Sequence, residues 1–349
     1  MRAAVYYDIG SIRSERVPDP EPGPGEAVLK VGAAGICGTD LRIYANGHHR
    51  IPHGTKRILG HELAGEIVSV GKGVISLKPG MRVGIAPNMG CGICTQCVAG
   101  WTNLCKDYTA FGISLDGAFA EYMLVTADAI KQGNVVPIPN HVPFSVAALA
   151  EPLSCCFNGQ EAVNVRRDDV VLIVGAGPLG IMHSLLAKLS GARTVIVSEL
   201  SETRRKQAEE HGADKAVDPQ QEDLSEIVHE ASGGEGADVV IVAAPAARAQ
   251  EQSLELAAQQ GRINFFGGLP KGNPFIQFNS NLVHYKQLIV TGTTGSNVRQ
   301  YRSSMNLIAA GRIKLDTMIS ATLPLDQIKE GIERSKSGEE MRILVDPST

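Results

Sequence analysis

No part of this 349-residue chain is apolar for long enough to cross a bilayer. Its most apolar stretch, ADVVIVAAPAA at 237–247, falls well short of the roughly 20 residues that a spanning helix needs. The opening segment, MRAAVYYDIGSIRSERVPDPEPGPGE, lacks the continuous apolar core of a signal peptide. An excess of either charge is missing too: 33 Lys and Arg stand against 37 Asp and Glu, a formal net charge of −4. No global basic field therefore recruits nucleic acid or anionic lipid. Internal repeats and low-complexity segments are absent, and the Pro-rich PDPEPGPGE at 18–26 reads as a surface turn. These absences lead us to expect a cytoplasmic protein with no nucleic-acid or membrane partner, long enough for two domains that each bury a core.

Cysteine, by contrast, is concentrated. The chain has seven, at Cys37, Cys91, Cys94, Cys97, Cys105, Cys155 and Cys156. Without a secretion signal they should stay reduced, which favours metal or catalytic use over disulfides. Four lie in CGICTQCVAGWTNLC, spacing Cys91, Cys94, Cys97 and Cys105 as C-x2-C-x2-C-x7-C. Four thiolates in a compact loop complete a tetrahedral zinc with no open position, a structural site whose bond energy becomes folding energy. An iron–sulfur cluster is the chemical rival, but the bacterial ferredoxin run places Pro after its last Cys, and here Lys106 follows. Zinc is the expected occupant. Cys155 and Cys156 read as small buried hydrophobes.

Texture changes along the chain. The first 150 or so residues carry short alternating runs such as EAVLKVGAAGIC and ELAGEIVSVG, broken by Pro and Gly, as antiparallel β structure does. Further on, apolar strands alternate with glycine turns and amphipathic helices: DVVLIVGAGPLG, RTVIVSEL, ADVVIVAAP, GRINFFGGL and QLIVTGTTG. That pattern implies a parallel sheet covered on both faces. The tail ends in MRILVDPST, which reads as an edge strand. Within the second region, Gly175-x-Gly177-x-x-Gly180, with Pro178 and Leu179 between the last two glycines, joins a buried strand to a helix. A bare GxGxxG carries little weight, but this context fits a dinucleotide turn. One glycine makes the turn, one admits the pyrophosphate to the helix N-terminus, and one packs helix on strand. Nineteen residues beyond Gly180, Glu199 ends the next strand, where a carboxylate accepts the ribose hydroxyls and repels a 2′-phosphate. NAD is therefore expected over NADP, although Arg204 and Arg205 nearby pull the other way unless they only decorate a helix face.

Taken in order, GICGTD at 35–40, GHELAGEIVSVG at 60–71, the four cysteines, GAFAEY at 117–122, AEPLSCC at 150–156 and VGAGPLG at 174–180 span essentially the whole chain. The set resembles the zinc-containing medium-chain alcohol dehydrogenases, nearest the sorbitol and threonine dehydrogenase-like branch. The resemblance implies an α/β fold: a GroES-like β-rich catalytic domain (1–152 and 290–349) with an inserted Rossmann domain, a doubly wound parallel sheet (153–289). It also implies two zinc ions per chain, NAD as cofactor, a small-molecule alcohol substrate and a homotetramer or homodimer.

By the same resemblance, Cys37 and His61 bind a catalytic zinc, with Glu62 or Glu151 as third ligand. Cys/His/Glu plus an open water position is what catalytic zinc requires. Asp40 would accept from the second nitrogen of His61, and Thr39 would take the substrate proton. Arg42 departs from the family, where a histidine often completes the relay. An arginine cannot release a proton near neutral pH, so the proton should leave through bulk water, and a strict threonine dehydrogenase assignment is in doubt. Phe266, Gly267, Gly268, Thr293 and Thr294 would approach the nicotinamide and its ribose. His48, His49, Arg50 and His53 read as a solvated loop that could instead meet a polar or phosphorylated substrate.

The expected reaction is reversible oxidation of a secondary alcohol (polyol, diol or sugar alcohol) to a ketone by hydride transfer to NAD. The alternatives are a sugar-alcohol-phosphate or threonine-type dehydrogenase and an NADPH-dependent carbonyl reductase. A non-catalytic nucleotide-binding protein is disfavoured by the retained Cys37, His61, Glu62 and Glu151.

Overall fold

A computed structural model describes residues 1–270 and 272–349. The chain divides into two compact units, Met1–Ser154 with Ser296–Thr349, and Cys155–Gly295.

The first unit is built on a seven-stranded sheet. Its order is Val135–Pro137, Arg82–Ile85, Glu62–Val70, Ala27–Gly35, Arg342–Asp346 and Ile319–Pro324, and Tyr122–Val125 also pairs with Ala27–Gly35. Apolar side chains from these strands, Leu29, Leu63, Ile67, Val83, Ile85 and Met123 among them, form one buried cluster. Register shifts at Val28/Leu29 and Val31/Ala33 interrupt the central pairing, and such bulges bend and twist a sheet. The segment expected at an edge lies inside: Arg342–Asp346 pairs with Ala27–Gly35 on one side and Ile319–Pro324 on the other. Ile343, Leu344 and Val345 are all buried. A consecutive apolar run suits a strand covered on both faces, and it outweighs proximity to the terminus.

The second unit is a six-stranded sheet, parallel throughout, in the order Lys215–Val217, Thr194–Ser198, Val170–Val174, Ala237–Val242, Ala257–Phe265, Ile289–Gly292. Val170, Leu172, Val240, Val242 and Ile263 enter one core cluster, while Val171, Ile173, Val195, Val197, Val239 and Ile241 enter another. The period of two thus fills both faces, as the near-continuous apolar strands required. Lys215–Val217 had no sequence signal: three residues, one of them charged, are too few for a period to show. Among the described residues, no helix is long and apolar enough to cross a membrane.

Candidate metal centres and nucleotide turn

Cys37 sits at the N-cap of the helix Gly38–Asn46, and Asp40 Oδ2 accepts the backbone N–H of Cys37 at 2.9 Å. Asp40 Oδ1 accepts the Gly60 N–H at 3.3 Å. One buried carboxylate thereby fixes both the helix start and the residue preceding His61. Gly60 has φ +90, and a Cβ there would strike the Phe119 ring, so glycine is needed for the chain to turn into the His61-Glu62 pair. His61 Nδ1 lies 3.5 Å from Asp40 Oδ1. Glu62 opens its strand opposite Gly35. In the space a Gly35 side chain would fill, the Glu62 carboxylate meets the guanidinium of Arg342.

One ligand atom from each of Cys37, His61 and Glu62 lies within 4.8 Å of the others. Burial alone would raise the Cys37 thiol, yet the charge and hydrogen bond of His61 bring it below its ordinary value. Burial likewise opposes charge on His61, but Asp40 and Cys37 hold the imidazole well above 6.5. Both Glu62 oxygens are buried without a hydrogen bond among the described residues, Glu62 meeting Arg342 as an ion pair only, while His61 Nδ1 is paired with Asp40. Buried polar atoms left in that state are costly, and a sulfur, a nitrogen and a carboxylate oxygen this close form a zinc donor set. The residues fit a divalent cation.

Glu151, in the first turn of the helix Ala150–Ala162, is buried and acts electrostatically on Cys37, but stands outside that three-residue group. It also acts on Tyr301, a buried phenol whose ionisation is suppressed by desolvation and then by the Glu151 charge. Thr39 is half-buried in the first turn after Cys37, and its Oγ1 accepts from Arg42 Nη2 at 2.9 Å. Arg50 is committed elsewhere: it donates to the carbonyls of Tyr108 (2.9 Å) and Lys106 (3.0 Å) and lies over the Tyr108 ring. That guanidinium holds the segment after the four-cysteine run. Arg342 escaped the sequence reading, although a lone arginine in the apolar run MRILV carried a signal, since a buried charge demands a partner.

Cys91, Cys94, Cys97 and Cys105 also form one group within 4.8 Å. Cys94 Sγ and Cys105 Sγ are 3.8 Å apart, the edge of a tetrahedron with about 2.3 Å metal–sulfur bonds (about 3.8 Å) and far beyond an S–S bond. Backbone N–H groups of Ile93 and Cys94 lower Cys91 to about 6. Removal from water, reinforced by the neighbouring sulfurs, pushes Cys97 up to about 12. A divalent cation among them would draw all four into the thiolate form at this distance, so this set fits zinc as well.

In the second unit the strand Val170–Val174 runs into Gly175 (φ +103), and the helix Pro178–Leu189 follows with Gly177 at its N-cap. A Cβ on Gly180 would strike the Gly175 carbonyl, whereas one on Gly177 would meet nothing within 4 Å. The third glycine thus serves packing, and the second faces the open space a pyrophosphate needs. Leu179 supplies the carbonyl to which Cys156 Sγ donates. Glu199 accepts from Ala176 N–H (2.8 Å) and Ser201 N–H (3.0 Å), which holds its carboxylate beside the turn. Arg205 donates to the carbonyls of Glu199 and Leu200 and pairs with Asp218; Arg204 is half-buried in the first turn of the helix Glu202–Glu210. Phe266 stacks edge-on against His183 at 4.6 Å. Gly267 packs against Ala244, Gly268 faces open space, Thr293 donates to Asn264, and Thr294 is exposed.

Two units, one carrying two metal-type clusters and the other a glycine turn on a parallel sheet, define a metal- and nucleotide-binding oxidoreductase class. Comparison gives the family. Residues 23–140 match the alcohol dehydrogenase GroES-like domain, and residues 178–310 match the zinc-binding dehydrogenase domain. The chain belongs to the zinc-binding medium-chain alcohol dehydrogenase family. It is 37% identical to an L-threonine 3-dehydrogenase of Pyrococcus furiosus, over 93% of this chain and 92% of the relative. It is 31% identical to a sorbitol dehydrogenase of Halalkalibacterium halodurans, over 99% of each chain. Among solved structures it is similar to a zinc-binding dehydrogenase from Sinorhizobium meliloti bound to NADP, with TM-score 0.92, 36% identity and 99% of each chain covered.

Proposed function

We propose that the protein oxidises a secondary alcohol, a polyol, diol or sugar alcohol, reversibly to a ketone with NAD. The group of half-buried Cys37 with buried His61 and Glu62 carries this reading. Zinc held there supplies Lewis acidity, and a nicotinamide supplies the hydride acceptor. Asp40 keeps His61 in one orientation. Thr39 Oγ1 takes the hydroxyl proton, and because Arg42 donates to the same oxygen and cannot accept, the proton passes on to water. Glu151, buried and acting electrostatically on Cys37, would be the alternative carboxylate ligand for that zinc. Cys91, Cys94, Cys97 and Cys105 hold a second, structural zinc. Gly175 to Gly180 cradle the pyrophosphate, Glu199 takes the adenosine ribose, and Phe266, Gly267, Gly268, Thr293 and Thr294 line the nicotinamide end, with Arg204 at the ribose rim.

NAD is preferred because the Glu199 carboxylate is anchored beside the turn and Arg205 is spent on backbone carbonyls. A threonine-type or NADP-dependent reaction is the second reading, supported by the Pyrococcus relative and the NADP-bound neighbour. Seven free cysteines agree with a reducing, cytoplasmic setting. Ile289 on the sheet-edge strand, with Tyr285 and Phe275 also exposed, supports a homodimer or homotetramer. The test is initial rates with NAD and with NADP on polyols, sugar phosphates, 2,3-butanediol and threonine, beside a zinc-depleted control. Turnover of a polyol or diol with NAD, lost on zinc depletion, is expected. Rates that ignore zinc depletion would overturn the proposal.

A further inference from the structure

Asn264 is fully buried next to the end of the strand Ala257–Phe265. Its Nδ2 donates to the Gly159 carbonyl at 3.1 Å. That carbonyl can only accept, so the amide cannot be flipped and Oδ1 is left for its other neighbour. The neighbour is Thr293, whose Oγ1 lies 3.3 Å from Asn264 Oδ1 and must donate to it. A hydroxyl has one proton. With that proton spent on Asn264, Thr293 presents only lone pairs to whatever lies beyond it.

The arrangement depends on Gly159, where a Cβ would come within 2.9 Å of His183 and 3.0 Å of Phe266. A side chain there would force the His183 and Phe266 rings or the helix to shift, and with the helix its carbonyl. Thr293 directly follows the strand Ile289–Gly292, whose Thr291 and Gly292 register with Asn264 and Phe265. It therefore lies at the carboxyl edge of the parallel sheet, as Gly175 does, and such sheets bind ligands at that edge. Thr194–Ser198, which leads into Glu199, is four strands away in the order, about 19 Å at the usual spacing. If Glu199 holds the adenosine ribose, Thr293 belongs to the opposite end of the dinucleotide.

We propose that Asn264 is a positioning residue that fixes Thr293 as a hydrogen-bond acceptor, and that Thr293 Oγ1 accepts the carboxamide N–H of nicotinamide. This rests on the dinucleotide reading above. The test measures binding rather than turnover. Dissociation constants are taken for NADH, for ADP-ribose (which lacks the nicotinamide) and for reduced 3-acetylpyridine adenine dinucleotide, which keeps the carbonyl but has methyl in place of NH2. The protein should bind NADH about tenfold more tightly than the acetylpyridine analogue, about 1.4 kcal/mol. Thr293→Val should erase that preference, Thr293→Ser should keep it, and ADP-ribose affinity should stay within about twofold in both. Asn264→Leu should match Thr293→Val, and the double variant should be no worse than either alone.

An unchanged NADH preference in Thr293→Val would overturn the proposal. So would additive effects in the double variant, or equal loss of ADP-ribose and NADH in Asn264→Leu that folds. If Asn264→Leu does not fold, the Val and Ser variants at 293 still decide. Failure of the unmodified protein to bind either NADH or ADP-ribose would instead remove the dinucleotide reading itself.

Discussion

Arg42 Nη2 donates to Thr39 Oγ1 at 2.9 Å, so a permanent cation is hydrogen-bonded to the hydroxyl nearest Cys37 in the helix Gly38–Asn46. An arginine steadies that oxygen and favours negative charge on it, but it accepts no proton.

This pair makes a prediction about pH. An imidazole at position 42 would accept a proton only when neutral, so Arg42→His should add an inflection between about pH 6 and 7, with alcohol oxidation falling as pH drops. Arg42→Ala should lower kcat by about tenfold at most, because an exposed pair is screened by solvent. Rate profiles of the three proteins between pH 5.5 and 9 on an alcohol they share are the measurement. Identical profiles for arginine and histidine would mean that side chain 42 takes no part in the proton's path.

Glu62 and Arg342 make a second prediction. Both are buried, and each is the other's ion-pair partner. Removing one member strands a charge and typically costs about 3–5 kcal/mol. Glu62→Gln should therefore lower stability in urea by about that amount, and adding Arg342→Met should recover much of it. Glu62→Gln should also lose one zinc per chain, whereas Glu151→Gln should keep both, since Glu151 lies outside the three-residue group. Equal zinc loss in the two glutamine variants would make Glu151 an equal ligand.

The four-cysteine segment can be followed by itself. It leaves Ile93, Val98, Trp101 and Leu104 substantially exposed, so it has little apolar core and should owe its order to metal. Trp101 is the single tryptophan of the chain and reports on this segment alone. Chelation should remove both zinc ions and Cys94→Ser one, and each should shift the Trp101 emission to longer wavelength. Cys37→Ser should remove the other zinc and leave the emission unchanged. Emission that stays constant after both metals are gone would show that the segment holds itself together.

Legibility in the sequence followed the distance over which each feature is built. The four cysteines and the Gly175–Gly180 turn each lie within one short stretch, so spacing alone displays their chemistry. Pairing of Glu62 with Arg342 across Gly35 depends on three strands brought into one sheet. Bonding of Asn264 to both Gly159 and Thr293 likewise depends on register between strands and a helix. No local pattern encodes either. The interior place of Arg342–Asp346 belongs to the same class, because a run of apolar residues does not say which strands flank it.

His183 supplies the last prediction. It is fully buried in the helix Pro178–Leu189, and Gln160 Nε2 donates to its carbonyl at 2.7 Å. Among the described residues, nothing hydrogen-bonds to its Nε2. Burial lowers the imidazole from 6.5 to about 3, so the folded protein keeps it neutral. In the unfolded chain it takes up a proton near pH 6.5. Below that pH the unfolded state therefore binds the extra proton, and stability falls by about 1.4 kcal/mol for each further pH unit until the folded pKa is reached. Between pH 7.5 and 5.0 this single group should cost about 2 kcal/mol. His183→Met keeps a side chain of comparable reach without the titration, so its stability in urea should depend less on pH by that amount, while carboxylates common to both proteins cancel in the comparison. Parallel pH curves for the two proteins would mean that His183 is solvated or finds a partner for its proton in the folded state.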